Sequence, residues 1–395
     1  MQIKIHRGVD QIGGCIAEIK SKKAKILIDI GSELPNTECK VKANVSKISK
    51  KCDAVFITHY HMDHVGEYMK VKKKIPIYIG EQAKDVFMIY QKRMKEPKLS
   101  EITQEHIDKL KAFKTFESNT PIDVEDIKIT PIRVDHSAYD SYMFLVEAEE
   151  KRLLHTGDFR THGPIGKDIP NLLKDIGKVD VLICEHTTLS RTGETFMSEE
   201  MLQDEAINLI KDNKYVFIMC ASTNIDRIAS FYHANKKAGN KLFIGDDYQI
   251  DILDYVTKTS KDYTDYYDFS DVSHFDSKIY NEMVDKGFCM LVRNNYFSKK
   301  FMHSPNFKKH LFIYSQWLGY IEGKTADEDM AKFVPKDYYY LHTSGHATPE
   351  GITKICNIVK PDTIIPIHGT NSYDFDKLNL PYTIRHLKNK KSYKV

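Results

Sequence analysis

The stretch Thr58-His59-Tyr60-His61-Met62-Asp63-His64 decides how the chain is read. It puts three imidazoles and a carboxylate within six residues, directly after the short apolar run Ala54-Val55-Phe56-Ile57. Such a run reads as a buried strand, and polar chemistry in the loop after a buried strand is where active sites of α/β sheets sit. Successive residues turn their side chains apart, so His59 and His61 can converge on one ion while Asp63 and His64 face a neighbouring one. Imidazole suits zinc and similar borderline metals, and the carboxylate suits a harder ion or a bridge between two. A lone histidine is more often a satisfied core or surface residue. Four such groups at this spacing predict a metal centre.

Two ions need more donors, and later strands offer them. Asp135-His136-Ser137 follows Ile132-Arg133-Val134, Gly157-Asp158 follows Leu153-Leu154-His155, and His368-Gly369 follows Thr363-Ile364-Ile365-Pro366-Ile367. Gly-Asp is an ordinary turn pair and a single His can fill a cap. The joint pattern carries the reading, because groups that each follow a buried strand would share one edge of the sheet.

The chain around these segments is rich in strands at first and then alternates. Segments near Ile3–Ile5, Cys15–Ile19, Lys25–Gly31, Ile75–Ile79, Ile127–Val134, Ser141–Glu147, Lys151–His155 and Val179–Cys184 read as strands, with a helix over Gln82–Met94. Helices are predicted over Glu199–Lys211, Ile225–Ala238 and Gln249–Thr257. Strands are predicted at Tyr215–Cys220, Lys241–Ile244, Phe288–Val292, Leu311–Tyr314 and Tyr338–Leu341. Tyr263–Phe269 reads as a surface loop. Pro349–Val359 is a helix with Thr348 as its cap, and Thr363–Ile367 is the last predicted strand. The expected organisation is a first domain over 1–195, an inserted α/β domain over 196–340, and a return to the first domain over 341–395.

Composition narrows the class. Apolar residues make up 41% of the 395, enough for a core, and 29% charged residues exclude a disordered chain. The net charge of +3 is too small to announce a nucleic-acid binder by itself. The basic residues are nevertheless grouped: Lys47, Lys50 and Lys51; Lys70 and Lys72 to Lys74; and a tail with Lys388, Lys390, Lys391 and Lys394. Each run alone reads as a solvated face, while together they form a possible track for a polyanion. Seven cysteines without a C-x-x-C argue against both a disulfide framework and a thiolate zinc site. The start lacks the apolar core of a signal peptide, and no apolar run reaches the length of a membrane span. A reducing, cytoplasmic setting is expected, with no membrane partner.

The motif T-H-Y-H-M-D-H-V-G resembles the first histidine motif of the metallo-β-lactamase superfamily, and D-H-S, T-G-D-F and P-I-H-G resemble its later ones. Their order is similar to the β-CASP branch, in particular ribonuclease J-like nucleases. There an acid closes a strand (Glu185 in I-C-E-H-T), a His follows the inserted domain (His346 in H-T-S-G-H-A), and a further His follows (His368). The resemblance covers nearly the whole chain and is weakest through the inserted region. It implies an α/β fold, the metallo-β-lactamase αββα sandwich with an inserted α/β β-CASP domain. It also implies two divalent metal ions, zinc before manganese. His59, His61 and His136 would hold one, Asp63, His64 and His368 the other, and Asp158 would bridge them.

The implied activity is hydrolysis of a phosphodiester by a hydroxide bridged between two ions, about 3.5–4 Å apart. Asp63 and Asp158 belong to the catalytic set. His346 is the candidate acid for the leaving oxygen and Glu185 its orienting carboxylate, against the plainer reading of a turn histidine and a surface acid. His342 and Ser344, and Ser222 with Arg227 at a helix amino end, are candidates for substrate phosphate. An N-cap followed by a surface arginine explains the second pair equally well. Trp317 can stack a base or fill the core.

The leading expectation is a ribonuclease acting on single-stranded RNA, as 5′-to-3′ exonuclease, endonuclease or both. His368 favours RNA over DNA by the family pattern. The alternatives are a metallohydrolase of a small ester or thioester and a non-catalytic RNA-binding paralogue. Flavodiiron-like chemistry is disfavoured because such relatives carry Glu where His61 stands. The chain ends soon after His368 without the extra carboxyl-terminal domain of ribonuclease J, which leaves a homodimer and processive action open.

Overall fold

The computed structural model describes residues 1–35, 37, 41–95, 102–191, 196–275 and 277–395. The chain forms two compact units, one built from 1–194 with 345–395 and the other from 195–344.

The strands of the first unit run in chain order β1 (Gln2–Arg7), β2 (Ile16–Lys20), β3 (Lys25–Ile28), β4 (Ala54–Phe56), β5 (Ile77–Gly80), β6 (Lys114–Phe116), β7 (Ile122–Val124), β8 (Ile127–Val134), β9 (Ser141–Ala148), β10 (Lys151–His155) and β11 (Val181–Glu185). The second unit holds β12 (Tyr215–Met219), β13 (Leu242–Gly245), β14 (Val272–His274), β15 (Phe288–Leu291), β16 (Leu311–Tyr314) and β17 (Tyr339–Tyr340). The chain then returns to the first unit through β18 (Thr363–Ile367), β19 (Thr383–Ile384) and β20 (Ser392–Lys394).

Two seven-stranded sheets make the first unit, in the orders β20-β1-β2-β3-β4-β5-β6 and β19-β18-β11-β10-β9-β8-β7. The two-residue period of a strand explains how they pack. Phe144 and Val146 of β9 join Leu153, Ile183 and Ile365 in one cluster with Ile5, Ile26 and Phe56 of the other sheet. Their neighbours Met143, Leu145, Leu154, Leu182 and Ile364 point the opposite way, onto Ile352, Ile355 and Val359 of the helix Pro349–Val359. Helix Glu81–Lys95 buries Ala83, Val86 and Phe87. These are the layers of the α/β metallo-β-lactamase sandwich.

The pairings β3–β4–β5–β6 and β10–β11–β18–β19 are parallel. This arrangement gathers the carboxyl ends of β3, β4, β10, β11 and β18, where Asp29, His59, Asp158, Glu185 and His368 stand. The second unit is a six-stranded parallel sheet in the order β14-β13-β15-β12-β16-β17.

Several local expectations need correction. The strand placed at Ile75–Ile79 begins at Ile77, after Pro76. Tyr263–Phe269 is no plain surface loop: Tyr267 and Phe269 are buried, and the Tyr267 hydroxyl donates to Asp226 Oδ1 at 2.7 Å. Two short strands, β19 and β20, follow the last predicted strand, and Gln104–Lys111 adds a helix to the predicted ones.

Candidate metal centre

The first ligand triangle forms because the chain leaves β4, turns at Tyr60 and starts the one-turn helix Met62–Val65 with His61 as its N-cap residue. His59 Nε2 lies 3.2 Å from His61 Nδ1, and His61 Nδ1 lies 3.2 Å from His136 Nε2. Burial pushes His61 down to about 4 and holds His59 and His136 well below the ordinary histidine value. Neutral imidazoles with lone pairs facing one point are metal ligands in waiting. The spacing agrees: a tetrahedral zinc with Zn–N of about 2.0–2.1 Å sets its donors roughly 3.3 Å apart.

The second group closes across the fold. His64 Nε2 lies 3.3 Å from His368 Nε2, and Asp63 Oδ2 lies 3.2 Å from His368 Nε2 and 3.8 Å from His64 Nε2. Asp158 stands between the groups. Its Oδ2 is 3.2 Å from His64 Nε2, 3.7 Å from His368 Nε2, and 3.9 Å from both His59 Nε2 and His136 Nε2. Its Oδ1 is buried and has no hydrogen-bond partner among the described residues. A buried carboxylate oxygen without a partner is costly, on the order of 1–3 kcal/mol or more, and a cation removes that cost. The residues present therefore fit a metal. Burial opposes charge on His64, but Asp158, Asp29 and Asp63 outweigh it and hold His64 well above its ordinary value. The pocket demands positive charge there, which either a proton or a bound cation satisfies.

Four of the five imidazoles are oriented from behind. His59 Nδ1 pairs with Thr58 Oγ1 (3.0 Å), His64 Nδ1 with Asp29 Oδ2 (2.7 Å), His136 Nδ1 with the Gly345 carbonyl (2.6 Å) and His368 Nδ1 with Thr187 Oγ1 (2.8 Å). These bonds place the proton on the outer nitrogen and the lone pair on the inner one. Asp29 also accepts from the Thr58 amide at 2.8 Å, so one carboxylate fixes the loop and the ring together. Asp29 and His368 both take left-handed backbone (φ 61° and 57°), a conformation that costs energy and concentrates at functional sites. A Cβ on Gly31 would lie 1.6 Å from the Asp63 carbonyl, so only glycine lets the chain after β3 touch the ligand helix. Sequence reasoning missed Asp29, Thr58 and Thr187 as supports. The available signal was Asp29 closing an apolar strand beside the one that feeds His59.

Glu185 and His346 come together as a pair. Glu185 Oε1 lies 3.2 Å from His346 Nδ1, and Glu185 also accepts from the amides of Ala347 (3.1 Å) and Thr187 (3.1 Å). Burial alone would push Glu185 up, yet His346 holds it below the ordinary glutamate value. Burial likewise opposes charge on His346, and Glu185 and Asp158 together raise it above the ordinary histidine value. His346 Nδ1 is 3.7 Å from Asp158 Oδ2, and its side chain keeps 18% exposure, so the ring borders the metal donors and still faces solvent.

The four phosphate candidates all belong to the second unit. Arg227 is fully buried. Its guanidinium forms an ion pair with Glu199 (2.9 Å) and donates to Ser315 Oγ (2.7 Å) and the Thr343 carbonyl (2.9 Å), with His342 Nδ1 3.1 Å away. It is thus an internal tie, which corrects the reading of this residue as a surface arginine. Ser222 precedes the cap Asn224, and its hydroxyl accepts from Gln249 at 3.3 Å. His342 is half-buried and Ser344 is buried. The Trp317 ring lies across Gly319, edge-on to Tyr320 at 5.5 Å.

Fold and site together define a metal-binding domain of the metallo-β-lactamase class. Residues 25–216 match the Beta-lactamase superfamily domain, and residues 334–375 match the Zn-dependent metallo-hydrolase RNA specificity domain. Ribonuclease J of Helicobacter pylori is 24% identical over 391 residues, covering 92% of this chain and 55% of that protein. Ribonuclease J of Mycoplasma pneumoniae is 24% identical over 405 residues, covering 92% and 66%. The RNase J-like protein of Methanocaldococcus jannaschii is 27% identical over 191 residues, 47% of this chain and 42% of its own. A crystal structure of a protein of unknown function from Enterococcus faecalis superposes with a TM-score of 0.76 at 19% identity, covering 99% of both chains. The chain spans about half to two thirds of the length of the ribonuclease J relatives it matches. The two matched domains and the ribonuclease J relatives across 92% of the chain support the β-CASP, ribonuclease J-like family of the metallo-β-lactamase superfamily.

Proposed function

We propose that this protein is a two-metal ribonuclease that hydrolyses phosphodiester bonds of single-stranded RNA. The observation that carries the reading is the position of Asp158 Oδ2, within 3.9 Å of imidazole nitrogens from both donor groups. His59, His61 and His136 would hold one ion, Asp63, His64 and His368 the other, and Asp158 both. Zinc matches the imidazole-rich donor set. When bound, such a pair of divalent cations lowers the pKa of a water toward neutrality and offsets charge on a phosphoryl oxygen.

The protein's own residues supply the rest. His346, raised above its ordinary value by Glu185 and Asp158, borders Asp158 on a ring reachable from solvent, and it would protonate the leaving oxygen. Glu185 favours the charged form of that ring and would fix its orientation through the contact at Nδ1. Asp29, Thr58 and Thr187 hold the ligand rings in the tautomer that presents lone pairs inward. RNA as substrate is supported by the match of residues 334–375 to an RNA specificity domain and by the names of the relatives.

A reducing, cytoplasmic setting is consistent with six buried cysteines, none in a disulfide; Cys39 lies outside the described residues. No helix among the described residues is long and apolar enough to cross a membrane. The test is metal analysis coupled to cleavage of 5′-phosphate and 5′-triphosphate oligoribonucleotides. Two equivalents of metal with mononucleotide or short products are expected. A metal-loaded protein that leaves RNA intact and hydrolyses a thioester would overturn the reading.

A further inference from the structure

The parallel run β3–β4–β5–β6 has two ends. Asp29 and His59 occupy the carboxyl end. The amino end collects the loops that lead into the four strands, and each carries lysine. Lys22 and Lys23 precede β3, Lys50 and Lys51 precede β4, Lys72, Lys73 and Lys74 precede β5, and Lys114 opens β6; all eight are exposed. Two of the three lysine runs seen in the sequence thus meet on one edge. The third lies in the carboxyl-terminal tail, next to β20 on the opposite border of the sheet.

The loops are fastened to one another. Ser46 Oγ donates to the Lys70 carbonyl at 3.1 Å, the Val55 amide to the Pro76 carbonyl at 2.9 Å, and Lys109 Nζ to the Met69 carbonyl at 2.9 Å. With neighbouring strands about 4.8 Å apart, the lysines lie along a row of roughly 15 Å. A cavity of about 620 Å³ opens in this edge, lined by Lys72, Lys73, Lys74, Lys109 and Lys114 over a floor that includes Pro76 and Phe113. Its two acids are Glu105 and Asp108, and Asp108 already faces Lys111 at 3.4 Å. Asp53, on the same edge, is spent on the Lys25 amide at 2.8 Å. Lys22 and Lys23 stand beside Glu149 and Asp126, so the excess of like charge rests on the other lysines of the edge, and a polyanion relieves the repulsion among them.

We propose that this lysine edge is a second surface for single-stranded RNA, holding the phosphodiester backbone at the end of the sheet opposite the metal donors. The inference rests on the reading of the protein as a ribonuclease and extends it to long substrates. Each phosphate neutralised releases a counterion, so the contact is read from the salt dependence of binding, with a slope of about −0.7 per phosphate contact on a single strand.

The test compares the wild-type protein with K72Q/K73Q/K74Q and with K388Q/K390Q/K391Q, which removes equal charge at the other border. Three readouts are taken: anisotropy of a fluorescein-labelled 20-nucleotide 2′-O-methyl RNA across a salt series, hydrolysis of bis(p-nitrophenyl) phosphate, and binding to phosphatidylserine vesicles. In K72Q/K73Q/K74Q the salt slope is expected to become shallower by about 2, with affinity falling at least tenfold near physiological salt. Diester hydrolysis should stay within twofold of wild type, and the tail variant should keep the wild-type slope. An unchanged slope, or an equal loss in the tail variant, overturns the proposal. So does an unchanged RNA slope accompanied by lost binding to phosphatidylserine vesicles, which assigns the edge to a membrane surface. If the wild-type protein hydrolyses no diester, the ribonuclease reading fails, while the salt slope still decides the RNA surface.

Discussion

His64 Nε2 and His368 Nε2 lie 3.3 Å apart although 304 positions separate them in the chain. Two buried imidazole nitrogens at that distance, with Asp63 and Asp158 beside them, favour a shared proton or a bound cation between them. The fold brings them together because β18 pairs with β11 and carries His368 to the edge that β4 supplies with His64.

The charge balance of that cluster makes Asp158 the most sensitive position. In Asp158→Ala, metal content measured by plasma mass spectrometry should fall below one equivalent, and RNA cleavage should drop by about 10³-fold or more. Circular dichroism controls for folding. Full metal content with near wild-type cleavage would refute the bridging role.

Asp29 touches no substrate, so its effect should appear in metal affinity. Asp29→Asn keeps the shape and removes the charge behind His64 Nδ1. Affinity in a chelator competition should weaken about 10–100-fold. Wild-type affinity would show that Thr58 alone orients the rings.

The Glu185–His346 pair makes a statement about pH. His346 is raised above its ordinary value by Glu185 and Asp158 acting against burial, so it stays protonated as an acid into higher pH than a free histidine. Glu185→Gln removes one of the two charges that raise it. The alkaline limb of the kcat/KM profile should therefore move to lower pH, with kcat reduced about 10²–10⁴-fold in His346→Gln. A limb that stays in place in Glu185→Gln would assign it to another group.

In the second unit, Arg227 and Glu199 form a fully buried pair. Breaking it with Glu199→Ala leaves a buried cation facing only neutral partners, and urea unfolding should report a loss of about 3–5 kcal/mol in that unit. Replacing both, as Glu199→Leu with Arg227→Met, should recover most of that stability. A double variant as unstable as the single one would show that the hydrogen bonds to Ser315 and Thr343 matter more than the charge pair.

Much of this protein was readable without coordinates. The ligand types, their order and their position after apolar strands are local properties, and a strand followed by a polar turn announces itself through its period. The pairing of Glu185 with His346 was reachable only through family resemblance, because nothing local distinguishes that acid from a surface one.

Other features were settled only by packing. Arg227 looked like an exposed residue one turn into a helix, and its burial depends on Glu199 and Thr343 arriving from distant segments. Asp29 looked like the end of a strand, and its role depends on β3 lying beside β4. The lysine runs looked like separate solvated faces until parallel pairing set their loops side by side. Sequence alone thus determined which donors exist and which strands carry them. The tertiary structure alone decided which atoms meet, since distances between residues hundreds of positions apart are set by strand order and burial, to which local pattern is blind.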